Sequence, residues 1–305
     1  MTYSIVARDK ETGELGVAVQ SHWFSVGSVV TWARAGVGAV ATQAMAEISY
    51  GPLGLELMSS GKSANEALEA LLKADPKSET RQVAFVDSKG NVSVHTGKNC
   101  IPYAGHVKGD GFSCEANLMR NRTIWDAMAR DFKKTSRVPK KDRLPLGERL
   151  ISSLEAAEEA GGDIRGKQSA AILVVSPTVA PNSWSGRLVD LRVEDFPKPL
   201  PELKRLLRLQ RGYEWANKGD ELLNTGKFEE SLKAYEKAGQ FAPDLEELEF
   251  WQGVSLVQVK KLKDAKPIFK KVFKKNKDWM QVTKSLPKIG LLPKDPMVLR
   301  EILSS

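Results

Sequence analysis

Apolar and polar positions alternate along the first part of the chain in the manner of strands. Residues Thr2–Arg8 are β-branched and alternating, residues 9–13 carry turn chemistry (Asp9, Thr12, Gly13), and 15–20 reads as the returning strand of a hairpin. Residues 26–34 and 37–42 are continuous apolar runs around Ala35 and Gly36, the pattern of strands covered on both faces. The period then changes. Residues 51–60 and 63–73 repeat apolar positions at helical spacing, the second through Ala64, Ala67, Leu68 and Leu71, with Ser63 and Glu66 in a capping-box arrangement. A second hairpin follows at 82–87 and 91–96 around Ser88, Lys89 and Gly90, then a strand at 112–118. Helices are predicted at 124–132 and 146–160, joined by a basic, proline-containing stretch, and a polar loop at 161–168 leads into an apolar strand at 169–176. A strand at 188–193 closes the series. Two blocks of strands separated by helices predict an α+β domain in which two packed sheets lie between helical layers.

Phe196, Pro197, Lys198, Pro199, Leu200 and Pro201 read as a stiff break, beyond which the composition turns helical and basic. The expected organisation is a layered domain over 1–196, a linker and capping helix over 197–211, and a small all-α domain over 212–305. An internal repeat marks the last part. Gly219, Ser231, Tyr235 and Ala238 recur 34 residues on as Gly253, Ala265, Phe269 and Val272, and Trp215, Gly226 and Pro243 also fall where a tetratricopeptide pattern asks for them. Lys260 and Lys277 replace the expected Gly and Pro in the second copy. Two copies are fewer than a free-standing array needs, so residues 203–210 and 297–303 are expected to cap them, or the repeats to pack on the first domain.

Composition narrows the class. The 305 residues suffice for a real core and more than one domain, and no apolar run approaches a membrane span. The amino end lacks the basic and apolar regions of a secretory signal, and only two cysteines are present, Cys100 and Cys114. A cytoplasmic protein is expected, with both thiols as small core residues and without metal or cofactor. A net charge of +8 tolerates an acidic partner, but a solvated basic surface explains it as well. Lys266, Lys270, Lys271, Lys274, Lys275 and Lys277 spread around a helix with no stacking platform or base-reading motif, so nucleic acid is not expected as a partner.

The candidate chemistry is at the amino end. Loss of the initiator Met1 leaves Thr2 with a free α-amine, whose ordinary pKa of about 7.7 to 8 suits it to take the proton of the neighbouring hydroxyl. Thr2 is then a nucleophile carrying its own general base; the plain alternative is the first residue of a strand. No long leader precedes it, so exposure by methionine removal is the expectation.

Residues 2–209 resemble the DUF1028 proteins, an uncharacterised branch assigned to the N-terminal-nucleophile hydrolase superfamily. The resemblance rests on TYSIVARD at 2–9, GVGAVATQ at 36–43, His95-Thr96-Gly97, Cys100-Ile101-Pro102, Ala104-Gly105-His106, Gly161-Gly162-Asp163, Arg165-Gly166 and Gln168-Ser169-Ala170. It implies a four-layer αββα sandwich and hydrolysis of an amide bond by an N-terminal Thr, Ser or Cys; it names no substrate. In that superfamily the end of the second strand and the exit of the fourth flank the nucleophile, places held here by Ser21, His22 and Gln43. Gln43, or the backbone N–H after it, is the oxyanion candidate, and Ser21 the residue to orient the amine. His22, beside aromatic residues, is either catalytic or packed. Arg34 is either the cation of the site or a solvated strand end. Ser4, Asn117, Asp163, Arg165 and Gln168 are candidates to bind substrate, against ordinary duty in a strand, a turn and a loop salt bridge. Both His95 and His106 read as structural.

The expected function is an amidohydrolase acting on a small-molecule or peptide-like C–N bond. The alternative is a non-catalytic interaction protein that binds a partner through its C-terminal helices. Expected partners are the amide substrate, a protein at those helices and a second copy of the chain in a homo-oligomer, but no membrane.

Overall fold

The computed structural model describes residues 2–182 and 185–304. They form two compact units divided between Leu207 and Arg208. The first opens with β1 (Thr2–Arg8) and β2 (Leu15–Ser21), followed by a short α1 (Gly27–Val30), β3 (Thr31–Arg34) and β4 (Gly38–Ala44). Next come α2 (Tyr50–Ser59), α3 (Ala64–Ala74), β5 (Arg81–Asp87), β6 (Val92–Thr96), β7 (Gly105–Gly109) and β8 (Phe112–Asn117). After α4 (Ile124–Ser136) and α5 (Leu146–Glu159), β9 (Ser169–Val175) and β10 (Arg187–Val193) complete the strands. Two antiparallel sheets result, one ordered β10-β9-β2-β1-β8-β7 and one β3-β4-β5-β6.

Side-chain alternation assigns each strand face. On β1, Tyr3, Ile5 and Ala7 join the apolar cluster under α4 and α5, whereas Val6 joins a cluster containing Val17 and Val19 of β2, Ala39 and Ala41 of β4, and Ala84 and Val86 of β5. That second cluster lies between the sheets. Val40, Val83 and Phe85 point the other way, under α2 and α3. A strand has period two, so Thr2 and Ser4 share the inter-sheet face of Val6. Gln43 follows Ala41 onto it, and Gln82 precedes Ala84. No helix among the described residues is long and apolar enough to cross a membrane.

The predicted strand at 26–34 is in fact a four-residue helix followed by β3. A continuous apolar run does not distinguish a covered strand from a buried turn of helix. Here the helix is possible because Gly27 has no side chain: an added Cβ would lie 2.4 Å from Cβ of Ala171 on β9. The capping box is present, Ser63 accepting from Glu66 N while the Glu66 carboxylate accepts from Ser63 N at 2.8 Å. Strand β7 has no counterpart in the sequence reading, since its exposed, glycine-bounded residues alternate weakly.

The expected linker and separate capping helix at 197–211 are replaced by one helix, α6 (Pro199–Asn224). Pro199 and Pro201 stand in its first turn, where backbone N–H groups have no intrahelical acceptor to lose. Leu200, Leu203 and Leu207 belong to the core of the first unit.

The second unit is helical: the rest of α6, then α7 (Phe228–Phe241), α8 (Glu246–Gln258), α9 (Leu262–Lys275), α10 (Asp278–Ser285) and α11 (Pro296–Leu303). Its 34-residue repeat is visible in packing. Gly219 lies under the Tyr235 ring and Gly253 under the Phe269 ring, with an added Cβ at 2.9 and 3.2 Å from them. Helix ends repeat as well. Gly226 has φ +75° and its counterpart Lys260 has φ +61°.

Candidate active site

Thr2 begins a strand flanked on both sides. Antiparallel register sets it opposite Ser21 of β2 and opposite Asn117 of β8. Directly opposed residues share a sheet face, so the three polar side chains form a row looking toward the second sheet. Thr2 Oγ1 donates to Ser21 Oγ at 3.2 Å, and both residues are buried. From the facing sheet the Gln43–Gln82 pair closes the row.

Behind Thr2 the inter-sheet polar groups form one chain of hydrogen bonds. Gln82 is anchored by donating Nε2 to the carbonyls of Ala116 at 3.0 Å and Gly105 at 3.2 Å, which fixes its oxygen as the acceptor for Gln43 Nε2 at 2.7 Å and Asn117 Nδ2 at 2.9 Å. The Gln43 oxygen therefore faces Ser4 Oγ, 2.8 Å away. Ser4 Oγ is also 2.7 Å from Glu115 Oε1. One hydroxyl proton makes a full hydrogen bond to one of the two acceptors at a time. Both acceptors are fully satisfied when Glu115 is protonated and donates to Ser4 while Ser4 donates to Gln43. Burial points the same way, pushing the fully enclosed Glu115 carboxyl up to about 8 against the hydrogen bonds of Ser4 and Ser113. Glu115 is thus a neutral donor at pH 7, and Gln43 has both amide protons engaged, with Gln82 and, at 3.4 Å, with the Glu115 carbonyl.

Thr2, Gln43 and Asn117 line a cavity of about 400 Å³. Its walls are mostly apolar: Val26, Val29 and Val30 from α1 and the stretch before it, Met45 and Ile48 after β4, and Ile101. Two strand exits reach it in strained conformations, Ala44 with φ +69° and Leu118, next to Asn117, with φ +54°. The ionisable groups on the wall are Arg81 and Arg165. Each meets an aspartate: Arg81 Nε donates to Asp75 at 2.8 Å and Arg165 Nη2 to Asp163 at 2.9 Å. Arg81 also donates to the Met45 carbonyl at 2.6 Å, holding that wall. Opposite, Ser169 accepts from Val26 N at 3.1 Å and donates to the Trp23 carbonyl.

Of the residues singled out from sequence, Thr2, Ser21, Ser4, Gln43, Asn117 and Arg165 come together in or directly behind this cavity. Asp163 is buried behind Arg165 and also accepts from His22 N at 3.3 Å. His22 is exposed, with its ring beside Gly166, and is not part of the wall. Gln168 takes part through its backbone, donating N–H to the Ser21 carbonyl at 3.0 Å. Arg34 pairs with Gly38, at the far end of β4 from Gln43, and lines a separate concavity with Gly36 and Met58. Cys114 is buried in the core, Cys100 half-buried with its thiol directed at the Arg81 carbonyl, and neither is in a disulfide.

Glu115, Gln82, Arg81 and the apolar wall were not anticipated. A signal for Glu115 existed. Ser113, Glu115 and Asn117 alternate with Phe112, Cys114 and Ala116, so a strand of a doubly covered sheet carries a polar face that must be buried.

The family model DUF1028, described as a family of unknown function, matches residues 2–203. A crystal structure of a Silicibacter pomeroyi protein assigned to the same family model superposes with a TM-score of 0.59 at 28% identity, covering 68% of this chain and 88% of that one. No curated protein matches the chain. With the match spanning the whole layered unit up to the first turn of α6, the chain belongs to the DUF1028 family.

Proposed function

We propose that the protein is an amidohydrolase of the N-terminal-nucleophile kind, with Thr2 as the attacking residue once Met1 is removed. Met1 lies outside the described residues, and its removal is part of the proposal. The observation that carries the reading is the Thr2 hydroxyl, at the start of a central strand, on the floor of an apolar cavity of about 400 Å³. The succession of helices, sheet, sheet and helices supports the four-layer αββα fold that this chemistry uses. The 34-residue recurrence of glycine under an aromatic ring supports tetratricopeptide-like pairing in the second unit.

In this mechanism Thr2 Oγ1 attacks the amide carbonyl carbon while the α-amine takes the hydroxyl proton. Collapse of the tetrahedral intermediate breaks the C–N bond, and the α-ammonium returns the proton to the leaving amine. Water then attacks the resulting ester with the same amine as base, releasing the acid and restoring Thr2. Ser21 orients the nucleophile through its hydrogen bond. Asn117, held by Gln82, presents the remainder of its amide to the cavity.

Intact-mass measurement is expected to show loss of Met1, and Thr2→Ala to abolish turnover in an amidase screen with the fold unchanged by circular dichroism. Retained Met1 in every preparation, or equal turnover by Thr2→Ala, overturns the reading in favour of a scaffold whose helices bind a partner.

A further inference from the structure

We infer that the cavity above Thr2 selects amides whose acyl group is neutral and apolar, an inference that rests on Thr2 being the nucleophile. Val26, Val29, Val30 and Ile48 line the cavity together with Thr2, and among the described residues no acidic side chain lines it. Its two cations are already matched, Arg81 by Asp75 and Arg165 by Asp163. A cationic acyl group finds no counter-charge there, and an anionic one must compete with an aspartate for a guanidinium. Desolvating either charge without a partner is costly.

A second observation concerns the mouth. Trp23, Met45, Ile48 and Ile101 are between 40% and 60% exposed, large apolar side chains gathered around one opening. Apolar surface concentrated in this way marks a binding site rather than ordinary surface. The volume is at the lower end of small-molecule sites, about 300 to 1,000 Å³, which suits a short alkyl or aromatic acyl group rather than a folded chain. Hydrolysis then transfers that acyl group from the amine to Thr2 Oγ1 and from there to water, giving a carboxylic acid and the free amine.

The test is a series of p-nitroanilides sharing one leaving group: acetyl, butanoyl, hexanoyl, glutaryl and 6-aminohexanoyl. For the full-length protein, kcat/KM is expected to rise about four-fold per methylene from acetyl to hexanoyl, the factor for burying a CH2. The 6-aminohexanoyl and glutaryl compounds are expected to fall to the acetyl level or below. Ile48→Asp, at a half-exposed position, should lower the hexanoyl-to-acetyl ratio at least ten-fold. Turnover that is flat with acyl length, or best for a charged acyl group, overturns the inference while leaving the hydrolase reading in place. Turnover unaffected by Thr2→Ala, or absent throughout, overturns the hydrolase reading. Calorimetry of Thr2→Ala with hexanamide, acetamide and 6-aminohexanamide then decides separately. Tighter binding of hexanamide supports the apolar specificity, and equal or undetectable binding of all three overturns it.

Discussion

At the scale of single residues, Glu115 is the group whose protonation state the structure dictates. Its neutral form completes the chain through Ser4, Gln43 and Gln82 to Asn117. Its native pKa is raised, to about 8, so between the ordinary glutamate range and that value the folded protein holds a proton that the unfolded chain has released. Stability from this group is therefore full at low pH and is lost as pH rises through about 8. Linkage sets the slope at up to ten-fold in the folding equilibrium per pH unit across that window. Urea denaturation at pH 5, 7 and 9 should show the decline. Glu115→Gln retains a donor toward Ser4 without the titration and is expected to flatten it. The same residue shows why part of the site was hidden in the sequence. Thr2, Ser21 and Gln43 mark strand ends and are recognisable as such, whereas Glu115 and Gln82 become site residues only when two sheets face each other. His22 and Arg34, suggested by the superfamily resemblance, stand off the cavity wall, Arg34 at the far end of β4 from Gln43.

At the scale of elements, periodicity located the strands of both hairpins and the helices of the first unit, because covered strands and amphipathic helices leave strong patterns. It failed where pattern is weak or shared. The exposed β7 alternates faintly, and α1 is as continuously apolar as a strand. In the helical unit, the structure keeps at Lys260, where the repeat asks for a glycine, a backbone feature that the residue type disguises. Gly226 closes its helix with N–H to the Leu223 carbonyl, followed by Lys227 to Leu222. Lys260 and Lys261 reproduce both bonds, to Val257 and Leu256. Lys260 does so with a positive φ that costs a side-chain-bearing residue about 1–2 kcal/mol. Lys260→Gly is expected to stabilise this unit by about 1 kcal/mol, net of the added chain entropy. Chemical denaturation followed by circular dichroism measures it.

At the scale of the whole molecule, β1 is secured at both ends. Its first residue joins the polar row, and immediately beyond its last stands Asp9, buried and ion-paired with Arg149, which is also buried. Burial raises the Asp9 carboxyl, yet the backbone N–H groups of Thr12 and Glu11 and the Arg149 guanidinium together hold it below the usual range. That contribution is present above the ordinary aspartate range and is lost as pH falls through the lowered value. Asp9→Asn leaves a buried guanidinium without its counter-charge and is expected to cost about 3–5 kcal/mol, read from the urea midpoint at pH 7.

The central position of β1, bonded to β2 on one side and β8 on the other, sets Thr2 apart from the cavity walls around it. Thr2 is the tail of a girder, whereas Val29, Met45, Ile48 and Ile101 stand on a four-residue helix and on connecting loops. On the proposed reading, substitutions at those four positions are expected to reshape the chamber while leaving the strand that carries Thr2 in place.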